Sequence, residues 1–496
     1  MHARILTLLI AGMVTGISPL YAADTDQMSV TAPATAQVCA GCHGPRGQGG
    51  GIYPRIAGQP AGYLMQQLQL MRSGARINIF MQPVVRRLSD KDIGELADYF
   101  SGIQAPFEPS TRPISVVALA RGRELVTVGD WREGAPACLR CHGPELAGVT
   151  PGIPALAGQS SEYMLTRLQA YKNTEDGSLP VVIMRDASKG LSDGDLQAVA
   201  GYIAHMKPGE RLQMLRPPRD PSYEFIPQFP DNFKPPPESA IPAGPYGDMI
   251  WYGLQIFENT RDAAGPYVGD SLDCSSCHMD HGRRPYSAPM WAAYVLYPQY
   301  REKNKKINSL EDRIQDCFRY SMNGAPPAAD SPEMQALVTY FHWLAIGLPV
   351  GIKPKGAGYL KLPPPAHPAD IQRGAAVFAA NCVLCHGEDG QGRESHGEQA
   401  FPPLWGAKSF NWGAGMERIS TAAGFIKANM PYAAGGTLSD LDAWDVAAFV
   451  VSHARPQDPR FTGSVEETRK KYHAHDSYYG RVIDGRLLGA PAKPHG

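Results

Sequence analysis

The chain has 496 residues, too many for one hydrophobic core, and lengths of this order divide into about three to five compact units. Charged residues make up 19% of it and the net charge is −1, which excludes a nucleic acid or an anionic membrane surface as a partner read from overall charge. Nine cysteines and fourteen histidines are the informative part of the composition, because their spacing is not random.

In chain order, Arg4 and the apolar run from Ile5 to Ile10, continuing to Ile17 and ending in Tyr21-Ala22-Ala23, predict a secretory signal peptide over 1–23. Export to the periplasm follows. No later run reaches about 18 apolar residues, so the mature chain is expected to be soluble, with no membrane span. The sequence then carries Cys-x-x-Cys-His four times, as Cys39/Cys42/His43, Cys138/Cys141/His142, Cys274/Cys277/His278 and Cys382/Cys385/His386. Disulfides are the ordinary use of cysteine in an exported protein, but this spacing with an adjacent histidine is that of covalent haem c attachment. Two thioethers would hold each porphyrin, and the histidine would be the proximal iron ligand. Four haem c groups are expected.

Residues 24–206 hold a duplication: Pro54-Arg-Ile-Ala-Gly-Gln59 is echoed by Pro154-Ala-Leu-Ala-Gly-Gln159 behind the first two motifs. Ser89 with Asp92 and Ser192 with Asp195 predict capped closing helices, as do Ser331 with Pro332 and Ser439 with Asp442 later in the chain. Prolines crowd 207–240 and again 349–368, which predicts extended connectors. The expected fold is all-α: four small class I-type cytochrome c domains (24–106, 107–206, 241–352 and 353–460) in two diheme pairs joined by the Pro-rich linker 207–240. A charged tail, 461–496, either wraps the body or hangs from it.

Electron-carrier haems usually take their second axial ligand from a Met before the closing helix. Met81, Met184 and Met430 lie 38, 42 and 44 residues after His43, His142 and His386, and this agreement outweighs the reading of each as core filler. Met416 is the competitor of Met430. In the third unit the slot 39 residues after His278 holds Cys317, the one cysteine outside the four motifs. It is read as the ligand there, with Met322 as its rival. A thiolate stabilises ferric iron, so the third haem is expected to have the lowest potential. Arg313 and Ser321, four residues to either side, would flank the sulfur on one helical face, and Arg301 is a further cation nearby. Arg suits bidentate binding of an oxyanion.

The stretch from Leu272 to Gly351, with Tyr297-Pro-Gln-Tyr-Arg and Arg313-Ile-Gln-Asp-Cys-Phe-Arg-Tyr-Ser-Met-Asn-Gly, resembles the first haem domain of thiosulfate dehydrogenases. Pro402-Pro-Leu-Trp-Gly and Phe425-Ile-Lys-Ala-Asn-Met-Pro resemble the second. The front half resembles diheme cytochromes of the c4 type, which serve this dehydrogenase as electron acceptor in some organisms, so the chain looks like a fusion of the two. The resemblance implies oxidation of two thiosulfates to tetrathionate, reversibly, at a haem ligated by His278 and Cys317, with Arg313, Arg301 and Ser321 holding sulfonate groups. An external high-potential acceptor protein would take the electrons, and a homo-oligomer is compatible with the sequence. Some relatives carry a Lys before the second-domain Met that exchanges with it as ligand; this chain has Asn429. Two alternatives stand beside this reading: a non-catalytic multihaem electron conduit, and a thiolate-haem sulfur oxidase that acts with a carrier protein.

Overall fold

The structure, a computed structural model, describes residues 32–130, 133–176, 178–212, 216, 219–220, 222–223, 233–301 and 305–490. The signal segment 1–23 and part of the 207–240 linker lie outside the described residues.

Each unit ends in a helix whose start is written locally in the sequence. In Asp90–Gly102, Asp193–His205 and Asp440–Val451, the capping Ser hydroxyl accepts the backbone N–H of an Asp three residues on, whose carboxylate accepts the Ser N–H in return. Pro332–Leu344 is capped by Ser331, which accepts from Met334 N, with Pro at its first position. A side-chain cap of this kind contributes about 1 kcal/mol.

The closing helices of units two, three and four each cross an opening helix at a glycine. A Cβ on Gly122 of Val116–Thr127 would lie 2.2 Å from Ala198 O; on Gly253 of Pro245–Glu258, 2.2 Å from Ala336 O; on Gly374 of Ile371–Asn381, 2.0 Å from Asp445 O. Two helix backbones touch at each crossing, so no side chain larger than hydrogen fits. Around these crossings lie separate cores. The largest, in unit three, buries Trp291, Trp343, Tyr340 and Phe257, while unit one relies on a few residues such as Leu64, Leu96 and Phe100.

The duplication produces a reciprocal contact between units one and two. Gln59 accepts from Ala155 N and donates to Ala155 O (3.0 and 2.9 Å), while Gln159 accepts from Arg55 N and donates to Arg55 O (2.9 and 2.7 Å). Equivalent residues exchange equivalent bonds, as across a two-fold interface. Both glutamines are buried. Gln159→Ala would strand the Arg55 backbone N–H and leave Arg55 O only its 3.4 Å bond from Gln59, and is expected to destabilise the contact between units one and two by about 1–3 kcal/mol; calorimetry of the haem-loaded protein should show a lowered transition.

Sheet structure among the described residues is confined to four two-stranded antiparallel pairs, so the helical expectation holds with small additions. The second proline-rich stretch is a strap rather than a free connector. Gly356 O accepts from Tyr286 N, Ala288 N donates to Gly358 O at 3.0 Å, and Tyr359 bridges to Ser287. The tail also packs. It forms the helix Val465–Tyr472 and the pair Val482–Ile483/Arg486–Leu487, and buries Tyr479 and Leu488 against Trp412 and Trp444. Its charges do not keep it loose, because apolar residues between them supply a core face. No helix among the described residues is long and apolar enough to cross a membrane.

Candidate active site and haem attachment centres

The four motif histidines share one arrangement. Nδ1 of His43 meets Pro54 O at 2.8 Å, Nδ1 of His142 meets Pro154 O at 2.7 Å, Nδ1 of His278 meets Ala288 O at 2.8 Å, and Nδ1 of His386 meets Pro402 O at 3.0 Å. A carbonyl can only accept, so each Nδ1 carries the proton and each Nε2 keeps a free lone pair. Burial keeps the rings neutral by lowering the pKa of all four; for His278, burial and then the positive charge of Arg313 bring it to about 4. No disulfide joins any of the nine cysteines, so the disulfide alternative has no support. In the first two units a cavity of about 350 Å³ is lined by Cys39, Cys42, His43 and Met81, and by Cys138, Cys141, His142 and Met184. Each set, two thiols, one imidazole lone pair and one thioether on a largely apolar cavity, fits a haem c group.

The three methionines do not share one local setting. Met81 precedes the short helix Gln82–Val85, Met184 lies inside the helix Leu179–Lys189, and Met430 directly follows the helix Ile419–Asn429. The competitor Met416 packs against the core of unit three. Asn429 is buried, with its amide donating to Phe425 O at 3.0 Å and to Tyr286 O at 3.4 Å.

In unit three the helix Leu310–Asp316, capped by Ser309 with Asp312, changes to a π-turn over Cys317–Ser321. Met322 N donates to Cys317 O at 3.0 Å, five residues back. Single π-turns are frequent at functional sites because they re-aim side chains that a regular helix would fix. Arg313 Nη1 lies 3.1 Å from Cys317 Sγ. The guanidinium is raised above its ordinary value, first by Cys317 and further by Tyr297 and Tyr359, against the cost of burial. Cys317 also interacts electrostatically with both motif thiols, Cys274 and Cys277. Sulfur, cation, attachment cysteines and His278 are therefore in one place.

Ser321 closes the π-turn, and among the described hydrogen bonds and ion pairs none joins Ser321 or Arg301 to Cys317. Arg301 is on the pair Gln299–Arg301/Lys306–Asn308, and its carbonyl also accepts from Lys305 N. The rival Met322 is 2% exposed and belongs to the unit-three core. Arg283 is spent on Glu238 and Asp280 (2.7 and 2.8 Å). Tyr359 is the member the sequence did not announce: half-buried and in electrostatic reach of Arg313, Cys277 and Cys317, it comes from the strap.

Family profiles match four segments of the chain. Residues 32–104 and 120–207 each match "Cytochrome c", residues 263–350 match "SoxA/TsdA, cytochrome c domain", and residues 369–450 match "Cytochrome C oxidase, cbb3-type, subunit III". Over 264 residues, 53% of this chain, it is 52% identical to the thiosulfate dehydrogenase of Stutzerimonas stutzeri (strain A1501), covering 86% of that protein. The chain belongs to the thiosulfate dehydrogenases. The front of this dehydrogenase is 38% identical over 175 residues to the thiosulfate dehydrogenase electron acceptor of Thiomonas intermedia (strain K12), covering 35% of this chain and 80% of that protein. The solved thiosulfate dehydrogenase (TsdBA) of Marichromatium purpuratum in its as-isolated form superimposes with a TM-score of 0.80 at 40% identity, covering 91% of this chain and 95% of that one. The dehydrogenase is thus a helix-rich chain of several cytochrome c domains, which imply covalently bound haem c, joined to a cytochrome c4-like acceptor portion.

In the dehydrogenase the second attachment motif sits where the acceptor portion meets units three and four. Cys141, Leu384 and Cys385 pack on one cluster of Val149, Ile153 and Phe401, and Arg140, inside the second motif, pairs with Glu258 of unit three. Ser395 Oγ donates to Gly148 O at 2.9 Å, and His396 meets Glu145 at 2.6 Å.

Proposed function

We propose that this chain is a periplasmic tetrahaem enzyme that converts two thiosulfates to tetrathionate at Cys317 and can run the reaction in reverse. The observation that carries the proposal is the 3.1 Å contact between the Arg313 guanidinium and the Cys317 sulfur beside the third attachment motif. Four cytochrome c domains in two pairs are the organisation we infer, and His43 with Met81, His142 with Met184, His278 with Cys317, and His386 with Met430 would hold the four haem irons. The four haem groups, when bound, supply the one-electron acceptors for the two electrons released.

Two thiosulfate dianions about 5 Å apart repel by about 3 kcal/mol even at the dielectric constant of water, so the substrates are best handled one at a time. Arg313 receives the sulfonate of the first thiosulfate and directs its outer sulfur to the Cys317 thiolate. An S–S bond forms, two electrons depart, and Cys317 carries an S-thiosulfonate. The outer sulfur of the second thiosulfate attacks the sulfur attached to Cys317, tetrathionate leaves, and the thiolate returns. Arg301 and Ser321 are further proposed contacts for the outer sulfonate as the products assemble. The placement of Cys141 beside Cys385, and of Arg140 on Glu258, supports a route from units three and four into unit two, then unit one, and out to a high-potential acceptor protein.

Mixing the oxidised protein with thiosulfate alone tests the reading. Haem absorption is expected to change to the ferrous form without any carrier protein, and tetrathionate is expected to accumulate once an external acceptor is added. An unreduced spectrum would favour a pure electron conduit, and reduction only with a carrier protein would favour the sulfur oxidase.

A further inference from the structure

The C-terminal tail, which the chemistry above does not use, brings two histidines against a buried glutamate. Glu417 ends the turn Gly415–Glu417, just before the helix Ile419–Asn429, and His473 and His475 follow the tail helix Val465–Tyr472. Glu417 is 2% exposed and His473 1%, and one ligand atom from each of the three residues lies within 4.8 Å of the others.

Three details separate this cluster from an ordinary ion pair. His473 Nε2 meets Asp458 Oδ2 at 2.9 Å, and Arg460 holds Asp458 at 2.6 Å; a carboxylate behind an imidazole is the arrangement that orients a metal-binding histidine. With the proton on Nε2, Nδ1 presents a lone pair, and this buried atom has no hydrogen-bond partner. Glu417 Oε1 lies 3.5 Å from that Nδ1, poor for a hydrogen bond but close to the spacing of about 3.4 Å between two ligand atoms each about 2.0–2.1 Å from a tetrahedral zinc ion. The Ser477 hydroxyl donates to the other Glu417 oxygen, which leaves Oε1 directed at the histidines.

We propose that Glu417, His473 and His475 bind a divalent cation of the zinc class, with Asp458 and Ser477 as positioning residues, and that the ion clamps the tail to unit four. Three protein ligands leave a fourth position for water. His475 has Nε2 2.5 Å from Glu417 Oε1 and an 18% exposed side chain, so its ring has room to turn outward by the small amount that an ion between them needs.

The test uses the haem-loaded, tag-free full chain, equilibrated with zinc chloride, desalted, and measured by mass spectrometry for zinc per chain. The wild type is expected to hold about one zinc, and His473→Ala and His475→Ala less than about one tenth. Asp458→Asn is expected to weaken binding by about 10–100-fold in equilibrium dialysis. If His473→Ala does not fold, His475→Ala, altered at the partly exposed ligand, still decides the question. A wild type without zinc, or zinc retained equally by variants with unchanged haem absorption, would overturn the proposal.

Discussion

Replacing Cys317 by Ala is expected to lower thiosulfate oxidation by at least about a hundredfold, the scale on which a group acting directly in the transition state is felt. The four attachment motifs are untouched by the change, so haem content measured by absorbance should not move. The π-turn at Cys317 is held by backbone bonds such as Met322 N to Cys317 O, not by the thiol, and the fold should survive. Met322, packed in the core behind Phe318, is not positioned to take over the role. A variant with normal haem content and near-normal turnover would show that the sulfur is a bystander.

Arg313→Ala is the second large effect. Its guanidinium touches the Cys317 sulfur and lies in electrostatic reach of His278, Tyr297 and Tyr359. A charge-assisted contact of this kind contributes about 1.5–3 kcal/mol, which corresponds to a loss of about 10–100-fold in kcat/KM. Arg313 is proposed to bind the first sulfonate and to stabilise the thiolate, so both KM and kcat should deteriorate. Arg313→Lys should restore part of the rate but not the affinity, because an ammonium supplies charge without the two-pronged geometry. An unchanged KM in both variants would confine the residue to supporting the sulfur.

Much of this molecule is readable in the sequence, because the signals are local. An attachment motif spans five residues, and the caps at Ser89, Ser192, Ser331 and Ser439 span four. Arg313 and Cys317 were pairable on paper since four residues separate them within one helix. The change of pitch at Cys317 was not legible, because nothing in the composition of Cys317-Phe-Arg-Tyr-Ser321 announces a π-turn.

What stayed hidden depends on chain segments that meet only after folding. Tyr359 comes from a stretch whose prolines read as a connector, yet the strap's backbone pairs with the loop behind His278. Gln59 and Gln159 were visible as a repeat, but their reciprocal bonds require knowing that the two copies face each other. Glu417 and His473 are separated by 56 residues and by a tail whose charges disguised its buried aromatic face.

The most direct test is low-temperature electron paramagnetic resonance of the oxidised protein, compared with its Cys317→Ala variant. A low-spin ferric signal of the thiolate-ligated type, present in the wild type and lost in the variant, is the expected outcome. Identical spectra from the two, with only histidine and methionine ligation visible, would contradict sulfur ligation in unit three and the chemistry derived from it.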